Sequence, residues 1–474
     1  MFAKSNVWSK LLRTGASVLA VSLAGTVAKA ETLADALVGA YNHVGILEQN
    51  RALLRAADEN VAQAAAALLP VLNWQADLER TFGRSTSVGG GVPFTTQLES
   101  TDIAINLVAS YQLYDFGADR ARVNSQKETV LATREGLLAI EQQVLLRAVS
   151  AFMNVRATAE VVAIRQNNIR LLTEELRAAN DRFEVGEVTR TDVALAESAL
   201  AAARSELAAS QGDLTIAREE YRNAIGRYPN ALATPPRLPR VERNIDKAKA
   251  FAVRNHPEML QAQHQVSANE LLITAAKADI KPQVSLLGSI GLNDDLGDSG
   301  DTTSGTIGLR AEGPIYQGGL LSSQVRSAQA QRDAARGNLH VVRHDIFAGV
   351  GDAYANLQTS FAQVQATERQ IQAAQVAFDG IREEAKLGAR TTLDVLDAEQ
   401  QLLDARAGQV QALASQYVAA YSVLASMGLL TAQDLNLPVQ IYDPSEYYNL
   451  VKDGTTAKSK QGRQLDRVIR ALNK

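Results

Sequence analysis

The sequence predicts a mixed α/β membrane protein in which a few barrel strands run directly into very long helices. Three observations carry this. Gly186-Glu187-Val188-Thr189-Arg190-Thr191-Asp192-Val193 returns 202 positions later as Gly388-Ala389-Arg390-Thr391-Thr392-Leu393-Asp394-Val395, so one unit occurs in tandem. Each copy has two segments that alternate apolar and polar residues, and each has one very long proline-free stretch. The same offset takes Tyr114 to Tyr316, Ala151-Phe152 to Ala353-Tyr354, Glu197 to Glu399 and Gly226 to Gly428.

The first elements concern export. Residues 1–30 read as a signal peptide: a basic start (Lys4, Lys10, Arg13), a small and apolar stretch from Leu11 to Val27, and Ala28-Lys29-Ala30 as the cleavage site. The apolar run is too short for a membrane anchor, and no later stretch predicts a transmembrane helix. Removing the segment moves the net charge from −4 to about −8, which disfavours nucleic acid as a partner. With no cysteine, an exported chain of 474 residues must be held by packing alone, and no lipid-modified Cys is available.

Barrel strands are predicted at about 71–83 and 100–114. Leu72, Trp74, Ala76 and Leu78 alternate with Asn73, Gln75, Asp77 and Glu79, and Ile103, Ile105, Leu107, Ala109 and Tyr111 with Asp102, Asn106 and Ser110. The second copy repeats this at about 283–292 and 303–315. Period-two runs of this length suit strands crossing a bilayer at a tilt, with Trp74 and Tyr111 suited to its interfaces. Polar Gly/Ser/Asp-rich loops are expected at 83–97 and 293–304. Four strands cannot close a barrel, and open edges in lipid leave backbone groups unsatisfied. Three copies would supply twelve strands, so a homotrimer in contact with outer-membrane lipid is the simplest solution.

Helices complete the units. Long helices are expected at 117–185 and 319–387, each about 67 residues and on the order of 100 Å. Return helices follow at 190–227 and 391–428, and leading helices at Leu33–Leu69 and Ile245–Ile280 match them in length. A cylinder follows in which each long helix lies beside a stacked pair of short ones. Its Ala-, Gln-, Glu- and Arg-rich stripes fit a helical wall wet on both faces. The first repeat then spans 31–228 and the second 245–430. Pro229, Pro235, Pro236 and Pro239 mark a linker at 229–244. Residues 431–474 form a C-terminal extension, expected to end in a mobile tail.

These residues resemble the TolC family of outer-membrane efflux proteins over about Glu31–Tyr448. The resemblance rests on Leu113-Tyr114-Asp115-Phe116-Gly117 and Ile315-Tyr316-Gln317-Gly318-Gly319 after the strands. It rests equally on Arg182-Phe183-Glu184-Val185-Gly186 with Thr191-Asp192-Val193, and on Leu387-Gly388-Ala389-Arg390-Thr391 with Leu393-Asp394-Val395-Leu396-Asp397-Ala398-Glu399. Tyr442-Asp443-Pro444 with Tyr447-Tyr448 is similar to alphaproteobacterial members. The resemblance implies a trimer whose twelve-stranded barrel continues into a twelve-helix periplasmic barrel. Such a trimer is an exit duct served by a periplasmic adaptor and an inner-membrane ABC or proton-driven pump.

The same resemblance implies a gate at the helix tips. Thr191, Asp192 and Arg390 would form its latch, with Asp192 facing Arg390. A family tyrosine three residues before the second tip glycine is here Ala385, so the Arg390–Asp192 pair should matter more. Asp394 and Asp397, three apart on one helix face, would form carboxylate rings at the pore constriction. As plain helix-start residues they would instead offset the macrodipole. Val185-Gly186-Glu187 and Leu387-Gly388-Ala389 would meet the adaptor, and the glycines would end helices in any case.

His340 and His344 are spaced i, i+4 but have no third ligand nearby, so a solvated helix face is expected and no metal. Nothing suggests a nucleophile–base pair, a cofactor or an enzyme. The competing reading is a periplasmic coiled-coil structural or adaptor-like protein, which needs no alternating strands. Cargo is not legible.

Overall fold

In the computed structural model, residues 30–296, 301–452 and 459–472 are described. The signal-peptide expectation lies outside them except for Ala30, as do parts of the second hairpin loop and of the tail. In chain order the elements are α1 (Leu33–His43), α2 (Gly45–Ala66), β1 (Val71–Gly89), β2 (Val92–Tyr114), α3 (Ala118–Glu184) and α4 (Arg190–Ile225). There follow α5 (Ile245–Asn255), α6 (Pro257–Ala278), β3 (Gln283–Asp295), β4 (Asp301–Glu312), α7 (Leu320–Lys386), α8 (Thr392–Ser426), α9 (Pro444–Val451) and α10 (Lys460–Leu472). The two halves share one order of elements.

Each leading helix is broken, contrary to the single helices expected at Leu33–Leu69 and Ile245–Ile280. In the second half the cause is Pro257: it forces its neighbour out of the helical region, and His256 lies at φ −66°, ψ 131°. Proline then takes the first position of α6, where no backbone donor is missed. In the first half Val44 is extended (φ −80°, ψ 112°). There His43 and Gly39 press so closely on Gly226 and Ile225 that a Cβ on either glycine would clash.

Longer strands than expected form the first hairpin. β1 and β2 pair without interruption from Val71–Ser110 to Gly89–Val92, so residues 83–97 are ladder, not loop. Gly90 and Gly91, both at positive φ (64° and 84°), make the two-residue turn that matches strand twist. The Ser/Thr run that suggested a loop lies in the pleat, with Thr86 and Thr95 hydroxyls 3.1 Å apart. β4 ends at Glu312, short of the expected Ile315, where Gly313 abuts Pro282.

The sheet order is β1-β2-β3-β4, antiparallel throughout. Residues paired across strands share a face. The rows Leu72–Ala109–Gly288–Ile307, Trp74–Leu107–Ile290–Gly305 and Ala76–Ile105–Leu292–Thr303 therefore define one mostly apolar face. The intervening rows, Gln75–Asn106–Gly291–Ser304 among them, define a polar one. The apolar face is uncovered: Trp74 is 75% and Ile307 82% exposed.

Below the sheet, α3 lies centrally between the α2/α4 pair and the α6/α8 pair, and α7 packs beyond α6 and α8. Twenty-one α3 residues are buried, against five in α7. One 18-residue window of α3 is apolar enough to span a membrane by composition, and half of it is buried within the protein, as a core helix would be. The main core is a belt joining Leu37 and Tyr41 of α1, Leu145, Val149 and Phe152 of α3, Tyr221 and Ile225 of α4, and Tyr421 of α8.

The linker is strapped over this belt. Arg156 donates to the Ala233 carbonyl (2.8 Å) and Tyr417 to that of Pro236 (2.8 Å), while Arg227 pairs with Glu31 (2.6 Å). In the C-terminal extension, α9 is pinned on α2 and α3: Tyr447 donates to Glu59 (2.8 Å), and Arg134 lies over the Tyr448 ring. Residues 459–472, expected to be mobile, contain helix α10, because Leu465, Val468 and Ile469 recur at helical spacing.

Candidate functional site: the hairpin tips

The α3–α4 and α7–α8 hairpins end in two tips of one construction. α3 stops at Val185, and Gly186 takes φ 77°, a conformation glycine adopts freely. There Gly186 N–H donates to Phe183 O and Glu187 N–H to Arg182 O. At the other tip Gly388 (φ 75°) donates to Ala385 O and Ala389 to Glu384 O. These bonds satisfy the helices' last carbonyls. Val185 and Leu387 project from the turns, 71% and 85% exposed.

The helices leaving the tips start in capping boxes. Thr189 N–H and Oγ1 donate to one oxygen of Asp192 (2.8 and 2.7 Å), and Asp192 N–H donates back to Thr189 Oγ1 (3.3 Å). Thr391 and Asp394 repeat the arrangement at 2.9, 2.8 and 3.2 Å. Threonine donors hold both carboxyls below the ordinary aspartate range. Both acids also lie where the helix macrodipole is positive. Asp394 is thus a helix-start residue, whatever else it does.

The latch residues are not brought together within the chain. Arg390 Nε donates to Glu384 Oε2 at 2.8 Å across its own turn, and Asp192 is engaged by Thr189. Thr191 is exposed beside it. Asp394 and Asp397 do share a face, lining a cleft of about 240 Å³ with Ala374, Ala377 and Ile381 of α7. Asp397 also borders a cleft of about 370 Å³ between α8 and the α3–α4 hairpin. His340 and His344 are exposed on α7.

Two groups went unremarked in the sequence, and a third, Glu399, was noted only as a repeat and motif position. Glu384 is Arg390's partner. Arg165 of α3 ties the hairpins by pairing with Glu206 of α4 (2.9 Å) and Asp404 of α8 (3.2 Å). Glu399 is 5% exposed, and its carboxyl is pushed up to about 7, chiefly by burial and then by the charge of Glu175, with Arg382 opposing. Capping boxes are legible as Thr-x-x-Asp. The burial of Glu399 is not, since its repeat counterpart Glu197 is exposed.

A strand pair per half with one apolar face, fused to helices of 67 residues, defines a channel-forming membrane protein. The family model described as outer membrane efflux protein matches residues 46–227 and again 251–429, and the chain belongs to that family. It is 35% identical to the outer membrane efflux protein BepC of Brucella suis, over 92% of this chain and 94% of that one. Identity to the outer membrane protein TolC of Escherichia coli is 25%, covering 88% and 87%. Among solved structures, the Campylobacter jejuni CmeC outer membrane channel superposes with a TM-score of 0.74 at 17% identity, covering 90% of each chain. The protein is an outer-membrane efflux channel component, and its relatives are channel proteins.

Proposed function

We propose that three copies of the chain close into one exit duct, gated at the hairpin tips, for efflux or type I secretion. The observation that carries this is the pair of matched open edges. β1 and α2/α4 form one edge of the protein, and β4 and α7 form the other. β1 and β4 run in opposite senses, so β4 of one copy can extend β1 of the next as a further antiparallel pair. Head-to-tail contacts of this kind close into rings. The same step would cover α7, whose Val341, Phe347, Phe361 and Val376 are exposed. Three copies give twelve strands with the apolar face toward lipid and the polar face toward the lumen, the division a transmembrane barrel requires.

At the periplasmic end the tips converge, and Arg390, fixed by Glu384, meets an Asp192 across the closed entrance. Only one Asp192 oxygen accepts the Thr189 bonds, so the other is open to a guanidinium. Asp394 and Asp397 ring the constriction, where carboxylates raise the local cation concentration. The exposed Val185 and Leu387, with Gly186, Glu187, Gly388 and Ala389, form the surface that meets a periplasmic adaptor carrying cargo from an ABC or proton-driven pump. A coiled-coil adaptor reading is disfavoured by the sheet, whose bare apolar face would have no role in water. Native mass spectrometry of the detergent-extracted protein tests the ring: three copies per particle are expected, and a monomer or dimer would contradict it.

A further inference from the structure

The C-terminal helix α10 has no part in the duct as described, and its two faces are unlike. Lys460, Arg463, Arg467 and Arg470 cluster on one side, and Leu465, Val468 and Ile469 lie opposite. Asp466 is the helix's single acid within a chain of net charge −4. Among the described residues none of the four basic side chains takes part in an ion pair.

Its position is equally informative. Leu465 packs with Leu450, Tyr447 and Val451 against Ala62 of α2. Four residues beyond Ala62, about 6 Å along the axis, α2 ends at Ala66, and β1 begins after a short turn at Val71. α9 holds this arrangement through Tyr447–Glu59 and Arg134–Tyr448. A basic amphipathic helix is therefore anchored near the end of α2 that leads into the sheet.

We propose that α10 lies on the periplasmic leaflet of the outer membrane, its arginines on anionic phospholipid headgroups and Ile469 at the acyl boundary. The inference rests on the membrane reading of the sheet given above. Opposed basic and apolar faces are the signature of an interfacial helix. Each basic side chain at an anionic surface strengthens attachment about fivefold. Ile469, 37% exposed, is an apolar side chain of α10 open to lipid.

The absence of cysteine from the chain allows single labelled positions in the full-length protein. Ile469→Cys, carrying an environment-sensitive dye, would be compared in nanodiscs of phosphatidylcholine with and without phosphatidylglycerol. The expected result is quenching by shallow doxyl lipids that needs phosphatidylglycerol, weakens with salt, is lost in Arg463→Glu/Arg467→Glu/Arg470→Glu and survives in the triple Lys variant. Quenching indifferent to lipid charge, or a dye shielded in detergent and lipid alike because protein covers it, overturns the proposal. Leu78→Cys on the sheet's apolar face is the control. If it is quenched while position 469 is not, α10 alone fails; if neither is quenched, the membrane sheet fails with it.

Discussion

Residue chemistry at the tips is dominated by backbone geometry rather than by charge. Gly186 and Gly388 sit at positive φ in open space, so a side chain there meets no neighbour but must adopt a left-handed conformation. Gly388→Ala is expected to destabilise the second turn by about 1–2 kcal/mol. Amide exchange of Leu387 to Thr391 would rise accordingly; unchanged protection would show that the turn tolerates a Cβ. The tip glycines and the Asp192/Asp394 pair were legible because the repeat marks them twice, whereas Arg390 and Asp397, whose counterparts are Val188 and Leu195, were named from the family resemblance. Partnership was not legible: Arg390 reaches Glu384, six residues away in sequence, and no periodicity in the chain announces that choice.

Elements carry the pH response and the membrane orientation. Glu399 sits between α8 and α3, with Glu175 beside it, and its carboxyl titrates near 7 rather than at 4.5. The folded state therefore holds a proton that the unfolded state has released, and stability falls as pH rises from about 4.5 to about 7. Protection factors at the α8 start, corrected for the intrinsic pH dependence of exchange, should fall over that window, and Glu399→Gln should remove the fall. A slope that persists in the variant would assign it elsewhere.

In the sheet, Ile105→Arg places a charge on the apolar face and is expected to cost about 2–4 kcal/mol if the residue lies near the bilayer midplane. Asn106→Arg, one residue on and facing the other way, should be tolerated. Outer-membrane yield of the two variants distinguishes the faces, and equal yields would contradict the assignment. The strand faces were readable from period two alone. Strand ends were misread because Ser and Thr in 83–97 look like loop, yet fit a pleat between polar neighbours. The helix break at Val44 could not be read either, since it follows from His43 and Gly39 packing against the far end of α4. The break at Pro257 was open to reading from the proline, but Ile245–Ile280 was expected as one helix.

At the scale of the molecule, a single chain is an incomplete wall. Its sheet has two unpaired edges, α7 buries five residues of 67, and its latch residues find no partner in one another. All three are what the proposed ring of further copies would complete. In the proposed ring the repeat would let a chain with two helical hairpins and two tips fill pseudo-equivalent positions. The tips differ in charge beside a shared capping acid, Arg390 standing where the first tip has Val188. The C-terminal extension lies outside the repeat, and only its composition was legible, not its docking on α2.

The central claim is a duct held shut by the tips, and single-channel conductance in planar bilayers tests it most directly. Purified wild-type protein is expected to insert and show a small conductance, which Arg390→Glu raises several-fold by setting like charges against Asp192. Channels of equal conductance in both proteins would remove Arg390 from the gate. Intact trimers that neither insert nor conduct would contradict the duct itself.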